Sequence, residues 1–327
     1  MAARRNDLGS PRERTGPPEE RVREIGERLL ATLGRQKWMD RPSYRLEHTL
    51  GLARAACGGA AGRVSNLLYG TWLGHPLHPL LTSLPIGAVA TTVALDVAGV
   101  LPGHGSGLRD ASRFTLGVGI VGSLGSAVTG LNDWQHTQEQ SRRVGLVHGA
   151  LNAAATGLYI ASWWDRRRGR HLRGVAGSGL GYGITLVSGY LGAALVYRSG
   201  TGVDRSGARL AIREWTPVLP ATALKAGEPQ RVEVAGIGLV LFWNGEDVVA
   251  VGEHCPHLGA PMSDGWIDRG RIVCPWHGSQ FEPVSGQVVR GPATAPLPCY
   301  PTRLREGTIE VREGAPQAAG VATGVGG

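Results

Sequence analysis

Residues 255–281 read CPHLGAPMSDGWIDRGRIVCPWHGSQF, which places two cysteines and two histidines as Cys255-x-His257 and Cys274-x-x-His277, with sixteen residues between the pairs. Thiolates and imidazoles in two short loops form a metal-ligand set, and one reading of the spacing is a structural tetrahedral zinc site. The other is an unsymmetrical iron pair, two thiolates on one iron and two imidazoles on the other, because each loop contributes one ligand of each kind. A glycine follows each pair, Gly259 and Gly278. The segments around the loops, QRVEVAG, GLVLFWN, EDVVAVGEHC, GRIVCPW and TRLREGTIEVRE, are short, rich in β-branched residues and separated by turn residues. They predict a small all-β domain over 214–314.

These residues carry a family resemblance. CPHLGAP with CPWHGSQF resembles the Rieske [2Fe-2S] signature, and the later SGQVVRGPATAPLPCYP is similar to that family's proline-containing loop over the cluster. The resemblance implies one [2Fe-2S] cluster, with Cys255 and Cys274 on the inner iron and His257 and His277 on the outer, more exposed one. Members of the bc type carry an extra, disulfide-forming cysteine in each loop; Ala260 and Trp276 stand at those positions here. The likeness is therefore to the ferredoxin and ring-hydroxylating oxygenase branch. Ser279 matches the hydroxyl that donates to cluster sulfur in high-potential members, whereas Phe281 replaces their tyrosine. An intermediate potential is expected, inside the range of roughly −150 to +300 mV. A Rieske oxygenase also needs a mononuclear iron domain, and only a Gly/Ala-rich stretch at 315–327 follows, so this chain is expected to be an electron-transfer component and not a complete oxygenase.

Upstream the character changes. HPLHPLLTSLPIGAVATTVALDVAGVL, FTLGVGIVGSLGSAVTGL, VGLVHGALNAAATGLYIASWW and GVAGSGLGYGITLVSGYLGAALVY are each long enough to cross a hydrocarbon core, so 72–200 reads as a four-helix transmembrane domain. Trp72, Trp134, Trp163 and Trp164 fall at predicted span ends, where indole prefers the interface. Gly122, Ser126 and Gly130, and again Gly181, Thr185, Gly189 and Ala193, repeat every four residues and predict close helix contact. Pro85 is expected to kink the first span. Residues 1–71 read as a basic tail with one amphipathic helix, carried by Val22, Ile25, Leu29, Leu30 and Leu33, and 201–213 as a polar linker. The fold class is thus multi-domain: an α-helical membrane bundle followed by a small β domain.

The net charge of +8 is mostly arginine in the first 65 residues and in loops beside apolar segments, a membrane-protein distribution rather than a nucleic-acid footprint. The paired arginines near the N-terminus precede no apolar run, so no export signal is expected. Cys57 and Cys299, the two cysteines outside the motif, imply no disulfide framework.

Four spans put both termini, the middle loop and the cluster domain on one face. His75 and His78 begin span one, Asp133 ends span two and His148 begins span three, so all four are expected on that face. His75 and His78, three apart, share one side of a regular helix. Such groups serve as haem ligands, as a quinone or proton site, or simply as helix caps. Asp96, at the opposite end of span one, is expected at the interface. GHPLHPLLTSLPIG, GLNDW and RRVGLVHGALN resemble an uncharacterised family of bacterial four-helix membrane domains that begin H-P-x-H-P, which supports topology and not chemistry.

Arg63, Arg142, Arg143, Arg198, Arg205 and Arg209 flank span ends on the cluster face, and Arg109, Arg113, Arg166, Arg167, Arg168, Arg170 and Arg173 the other, so loop charge does not orient the domain. The missing export signal and disulfide favour a multi-pass inner (plasma) membrane protein with the β domain in the cytoplasm. Expected partners are the lipid bilayer and a redox protein or quinone. The leading functional reading is a membrane-anchored one-electron carrier fed by a donor such as quinol. The alternatives are a ferredoxin-like component of a separate oxygenase system and a cluster-based redox sensor.

Overall fold

The computed structural model describes residues 18–99, 106–207, 212–225, 227–243 and 247–314. The two terminal tails and Arg209 lie outside the described residues. Among the described residues the N-terminal region holds three α-helices, α1 (Pro18–Gly34), α2 (Asp40–Ala56) and α3 (Ala61–Tyr69), of which the sequence pattern indicates only the first. They pack onto the bundle through ion pairs: Arg143 donates to both oxygens of Asp40 at 2.7 and 2.8 Å, and Arg142 to Glu47 at 2.5 Å. Gly70, at φ +84°, ends α3 in the left-handed conformation.

Four long helices follow: α4 (Leu77–Ala98), α5 (Ser106–Trp134), α6 (Glu139–Arg167) and α7 (His171–Tyr197). Each is long and apolar enough to cross a membrane, with mean hydropathy of 1.3 to 1.6 over its best window. At 1.5 Å per residue even α4 reaches about 33 Å. Pro85 lies inside α4, which runs through it as one helix. His75 precedes α4, whose N-cap is Pro76, so His75 and His78 do not share a helix face.

The bundle is two hairpins, α4–α5 and α6–α7, with matching internal contacts. His78 Nδ1 donates to Ser126 O at 2.9 Å, and His148 Nδ1 to Ser188 O at 2.8 Å. Four residues beyond each serine comes a glycine, Gly130 or Gly192, whose added Cβ would lie 2.7 or 2.9 Å from the imidazole. Buried Val89 and Tyr159 sit against Gly119 and Gly181 in the same way, at 2.8 and 2.6 Å. The first-helix positions 78, 89, 92 and 96 recur seventy residues on as 148, 159, 162 and 166. The second-helix positions 112, 119, 126 and 130 recur sixty-two residues on as 174, 181, 188 and 192. The bundle is a tandem repeat of one helical hairpin.

Equivalent positions of the two repeats meet at the end of the bundle away from the β domain. Arg166 and Asp96 are paired twice, Nη1 to Oδ1 at 2.8 Å and Nη2 to Oδ2 at 2.6 Å, and the guanidinium also donates to Ser112 Oγ at 2.8 Å and Ser178 Oγ at 2.9 Å. Asp96 is therefore buried in protein and not interfacial, because a carboxylate desolvated beside four helices needs a charged partner and α6 supplies one. Trp134 departs from expectation in the same direction: it is buried, and its Nε1 donates to Arg142 O at 2.9 Å. The small-residue face of α7 is also corrected. It runs Gly181, Thr185, Ser188, Gly192, whereas Gly189 has nothing within 4 Å, since a helix of 3.6 residues per turn drifts away from a strict four-residue repeat.

Among the described residues the β domain contains eleven short strands. A three-stranded antiparallel sheet joins β1 (Thr216–Pro220), β11 (Thr308–Val311) and β10 (Thr302–Arg305) in that order. A four-stranded sheet runs β2 (Gln230–Val234), β3 (Ile237–Trp243), β4 (Val248–Gly252) and β9 (Cys299–Tyr300). A second runs β5 (Trp266–Asp268), β6 (Arg271–Val273), β7 (Gln280–Phe281) and β8 (Val288–Arg290). Strand β3 divides the core by its two-residue period: Leu239 and Leu241 enter one cluster with Ile309 and Val311, while Val240 and Phe242 enter the other with Met262, Ile272 and Phe281. That second cluster also contains Cys255 and Cys274, so the motif loops stand on the packed core.

Candidate metal centre and its contact with the bundle

The two motif loops are turns of one design. In the first, Cys255 N–H donates to Ala260 O at 2.9 Å and Gly259 N–H to Cys255 O at 2.8 Å. In the second, Cys274 N–H donates to Ser279 O at 2.9 Å and Gly278 N–H to Cys274 O at 3.1 Å. Both close through a left-handed glycine, φ +75° at Gly259 and +69° at Gly278, which a side chain would resist. Facing each other, the loops sort their ligands by depth. The thiols are fully buried and hydrogen-bonded to one another, while the imidazoles are half-buried with ring centroids 5.0 Å apart.

Protonation fits a metal pair. The hydrogen bond from Cys255 lowers the Cys274 thiol to about 7, with help from the N–H groups of Trp276 and His277, and the same bond together with burial raises Cys255. Burial pushes His257 down to about 3, its neighbour His277 adding to the effect, and burial lowers His277 as well. Ionisable thiols and neutral imidazoles are the ligating forms. His257 Nδ1 is buried without a hydrogen-bond partner, which is the atom an outer metal would take up. Ser279 Oγ, fully buried, accepts from Ala293 N–H at 3.0 Å, leaving its own hydrogen for another acceptor. Thus Cys255, Cys274, His257 and His277 fit the unsymmetrical iron pair, with Ser279 beside it.

The outer imidazoles face the bundle. His136, in the α5–α6 turn, lies with its ring centroid 5.5 Å from His257 and 5.3 Å from His277. Its Nε2 is 2.5 Å from Tyr69 Oη, which also accepts from Gln135 Nε2 at 3.2 Å. Asn66 clamps the end of β8, donating through Nδ2 to Val289 O at 2.9 Å and accepting from Gly291 N–H, just beyond the strand, at 3.0 Å. Beside these contacts a cavity of about 150 Å3 opens between the domains, lined among others by Tyr69, His75, Asp133, His136, His257 and Pro292. His75 and Asp133 therefore share a cavity with a cluster histidine. His78 and His148 stay inside their hairpins as interhelical clamps.

Sequence reasoning missed His136, Tyr69 and Asn66. The signal for His136 is available, since counting spans places the turn at 135–138 on the cluster face and NDWQHT is polar apart from Trp134. Nothing local in AGRVSNLLY marks Asn66 or Tyr69, whose partners lie far along the chain.

Two family models match the chain: Rieske [2Fe-2S] domain over residues 214–301, and Predicted membrane protein (DUF2231) over residues 74–205. Ferredoxin CarAc of Metapseudomonas resinovorans is 31% identical over 98 residues, 30% of this chain and 92% of that protein. The 3-phenylpropionate/cinnamic acid dioxygenase ferredoxin subunit of Escherichia coli (strain K12) is 32% identical over 91 residues, 28% of this chain and 85% of its own length. Apoptosis-inducing factor 3 of Homo sapiens is 32% identical over 89 residues, 27% of this chain, and the chain spans only 15% of its length. Among solved structures, a chain of "Complex of reduced oxygenase and oxidized ferredoxin in carbazole 1,9a-dioxygenase" is 29% identical, covering 33% of this chain and 99% of its own, with a TM-score of 0.30. The family model over 214–301 and a ferredoxin relative of 31% identity matched over 92% of its length make this chain a member of the Rieske [2Fe-2S] family, with that domain joined to a predicted membrane domain.

Proposed function

We propose that the chain is a membrane-anchored one-electron carrier whose bundle presents a lipid-soluble donor of the quinol class to the cluster, and whose electron leaves to a separate redox protein. The bound cluster supplies the one-electron store. The observation that carries the reading is the cavity shared by His257, His75 and Asp133 at one end of four apolar helices. His75 Nδ1 lies 3.1 Å from Pro76 O and donates to it, so Nε2 is left as an acceptor, and a carboxyl oxygen of Asp133 is a second. Around these acceptors the cavity wall mixes Leu258, Ala295 and three prolines with Thr137, Thr201, Thr294 and Asp204, a lining that suits a ligand with two hydroxyl donors.

On the acceptor side, the Escherichia coli relative, a dioxygenase ferredoxin subunit, supports delivery to a partner protein, and exposed Trp276, its ring centroid 6.3 Å from His277, offers a contact surface. The inner membrane, with the β domain in the cytoplasm, is the proposed location. The test is anaerobic addition of a reduced short-chain quinol to the protein in liposomes, followed by EPR. A reduced-cluster signal is expected; a cluster that answers only to dithionite or a flavoprotein reductase refutes the donor.

A further inference from the structure

The outward edge of the two imidazoles would be the natural exit to solvent, yet a third imidazole closes it. His136, His257 and His277 form a triangle with centroid separations of 5.5, 5.3 and 5.0 Å and interplanar angles of 88°, 67° and 85°. Each ring meets the other two edge to face, the preferred arrangement for aromatic rings in contact. Two corners belong to the cluster loops and the third to the bundle.

The third corner is held firmly. Gln135 Nε2 donates to Tyr69 Oη at 3.2 Å and is itself tied to Asn132 O at 2.8 Å, which directs the tyrosine's own hydrogen to His136 Nε2 at 2.5 Å. His136 is thereby an acceptor at Nε2, and in the neutral ring the hydrogen sits on Nδ1. Tyr69 is 3% exposed, and its ring abuts Gly291, where an added Cβ would lie 2.7 Å from it. The same segment is gripped by Asn66 on both sides of Arg290. One face of α3 thus fixes both the position of the β domain and the orientation of the histidine that touches its ligands.

We infer that His136 is a positioning residue for the cluster: it docks both imidazole ligands against the bundle, fixes their ring orientation and excludes water from the side on which the cavity opens. The inference deepens the proposed function by naming the bundle residue that couples the two domains. It rests on the cluster assignment and not on the identity of the donor.

The consequence is legible in the reduction potential. With two thiolate and two neutral imidazole ligands, the reduced centre carries one more negative charge than the oxidised one, and water admitted to its edge stabilises that charge. His136→Ala, in the full chain in detergent, is therefore expected to move the midpoint potential to more positive values and to alter the imidazole nitrogen couplings in pulsed EPR. Loss of a group that orients metal ligands typically costs ~10- to 100-fold in activity, and reduction by a short-chain quinol in liposomes should slow by that factor while dithionite still reduces the cluster fully. His136→Phe keeps a flat ring against both imidazoles and should restore the potential towards wild type. Tyr69→Phe removes one hydroxyl and should give a smaller shift of the same sign, which keeps the inference testable if the alanine variant does not assemble.

An alanine variant with the wild-type potential, couplings and quinol rate overturns the inference. If the wild-type protein takes no electrons from quinol, the donor reading falls, and the potential and couplings still decide the role of His136.

Discussion

Replacing Asp96 by alanine should be the most damaging single change in the bundle. The Asp96 and Arg166 side chains are 4% and 2% exposed, so the pair is shielded from water wherever the bundle is placed. With Asp96 removed, the Arg166 guanidinium keeps only neutral oxygens, chiefly those of Ser112 and Ser178, while its charge stays desolvated. Breaking one side of such a pair costs about 3–5 kcal/mol. Removing both charges in D96A/R166A leaves polar hydroxyls and a small void but no orphaned ion, so the double variant should be more stable than D96A alone. The assay is reversible unfolding of the purified protein in mixed micelles by a denaturing detergent, followed by helix content, for wild type, both singles and the double. A D96A loss below about 0.5 kcal/mol would place the pair among ordinary surface contacts. Additive single costs would show that the two charges do not interact. Either result refutes the reasoning.

Ser279→Ala removes the hydroxyl whose hydrogen is left free by the Ala293 N–H, and the potential should fall by ~20–65 mV, from a net hydrogen bond of about 0.5–1.5 kcal/mol at 59 mV per tenfold for one electron; potentiometry that finds no drop removes Ser279 from the site. Cys274→Ser should abolish iron retention, and metal analysis that finds zinc in the wild type in place of two irons per chain would restore the structural-clip reading of the motif. In the metal-free protein the folded His257 titrates at about 3, against about 6.5 for an unfolded histidine. The folded form then binds fewer protons, so this stability is whole above pH 6.5 and is lost as pH falls from there towards 3, by up to ~1.4 kcal/mol per pH unit. Denaturation curves of the apoprotein at pH 7, 6 and 5 with one common midpoint would contradict it.

The β fold and the candidate ligand loops were legible because the information is local. Two short ligand loops, each with its glycine, and strands of two-residue period can be read a few residues at a time. The four long helices were legible by length and hydropathy. What escaped was the set of contacts made at a distance. Asp96 reads as interfacial until Arg166 is known to face it, seventy positions away. The Gly189 and Ala193 face failed because a fixed interval of four was extended along a helix that turns every 3.6 residues. The three-residue spacing of His75 and His78 suggests one helix face, but Pro76 caps α4 and Pro79 sits in its first turn, so the helix starts after His75. His136 differs from these, since topology alone put it on the correct face and only its significance went unread.

The repeated hairpin has a consequence for which halves can recognise each other. Two copies of the first hairpin, brought together as the two hairpins are here, would set Asp96 against Asp96; two copies of the second would set Arg166 against Arg166. Like charges at a buried contact repel, and neither could find its counter-ion. Only unlike halves are complementary, so the duplicated unit carries a lock and its key on separate copies, and a bundle built from it is obliged to be a heterotypic pair. The joint between the halves then occurs once per bundle. Because that joint is the turn that carries His136, one bundle offers a single berth for a cluster domain.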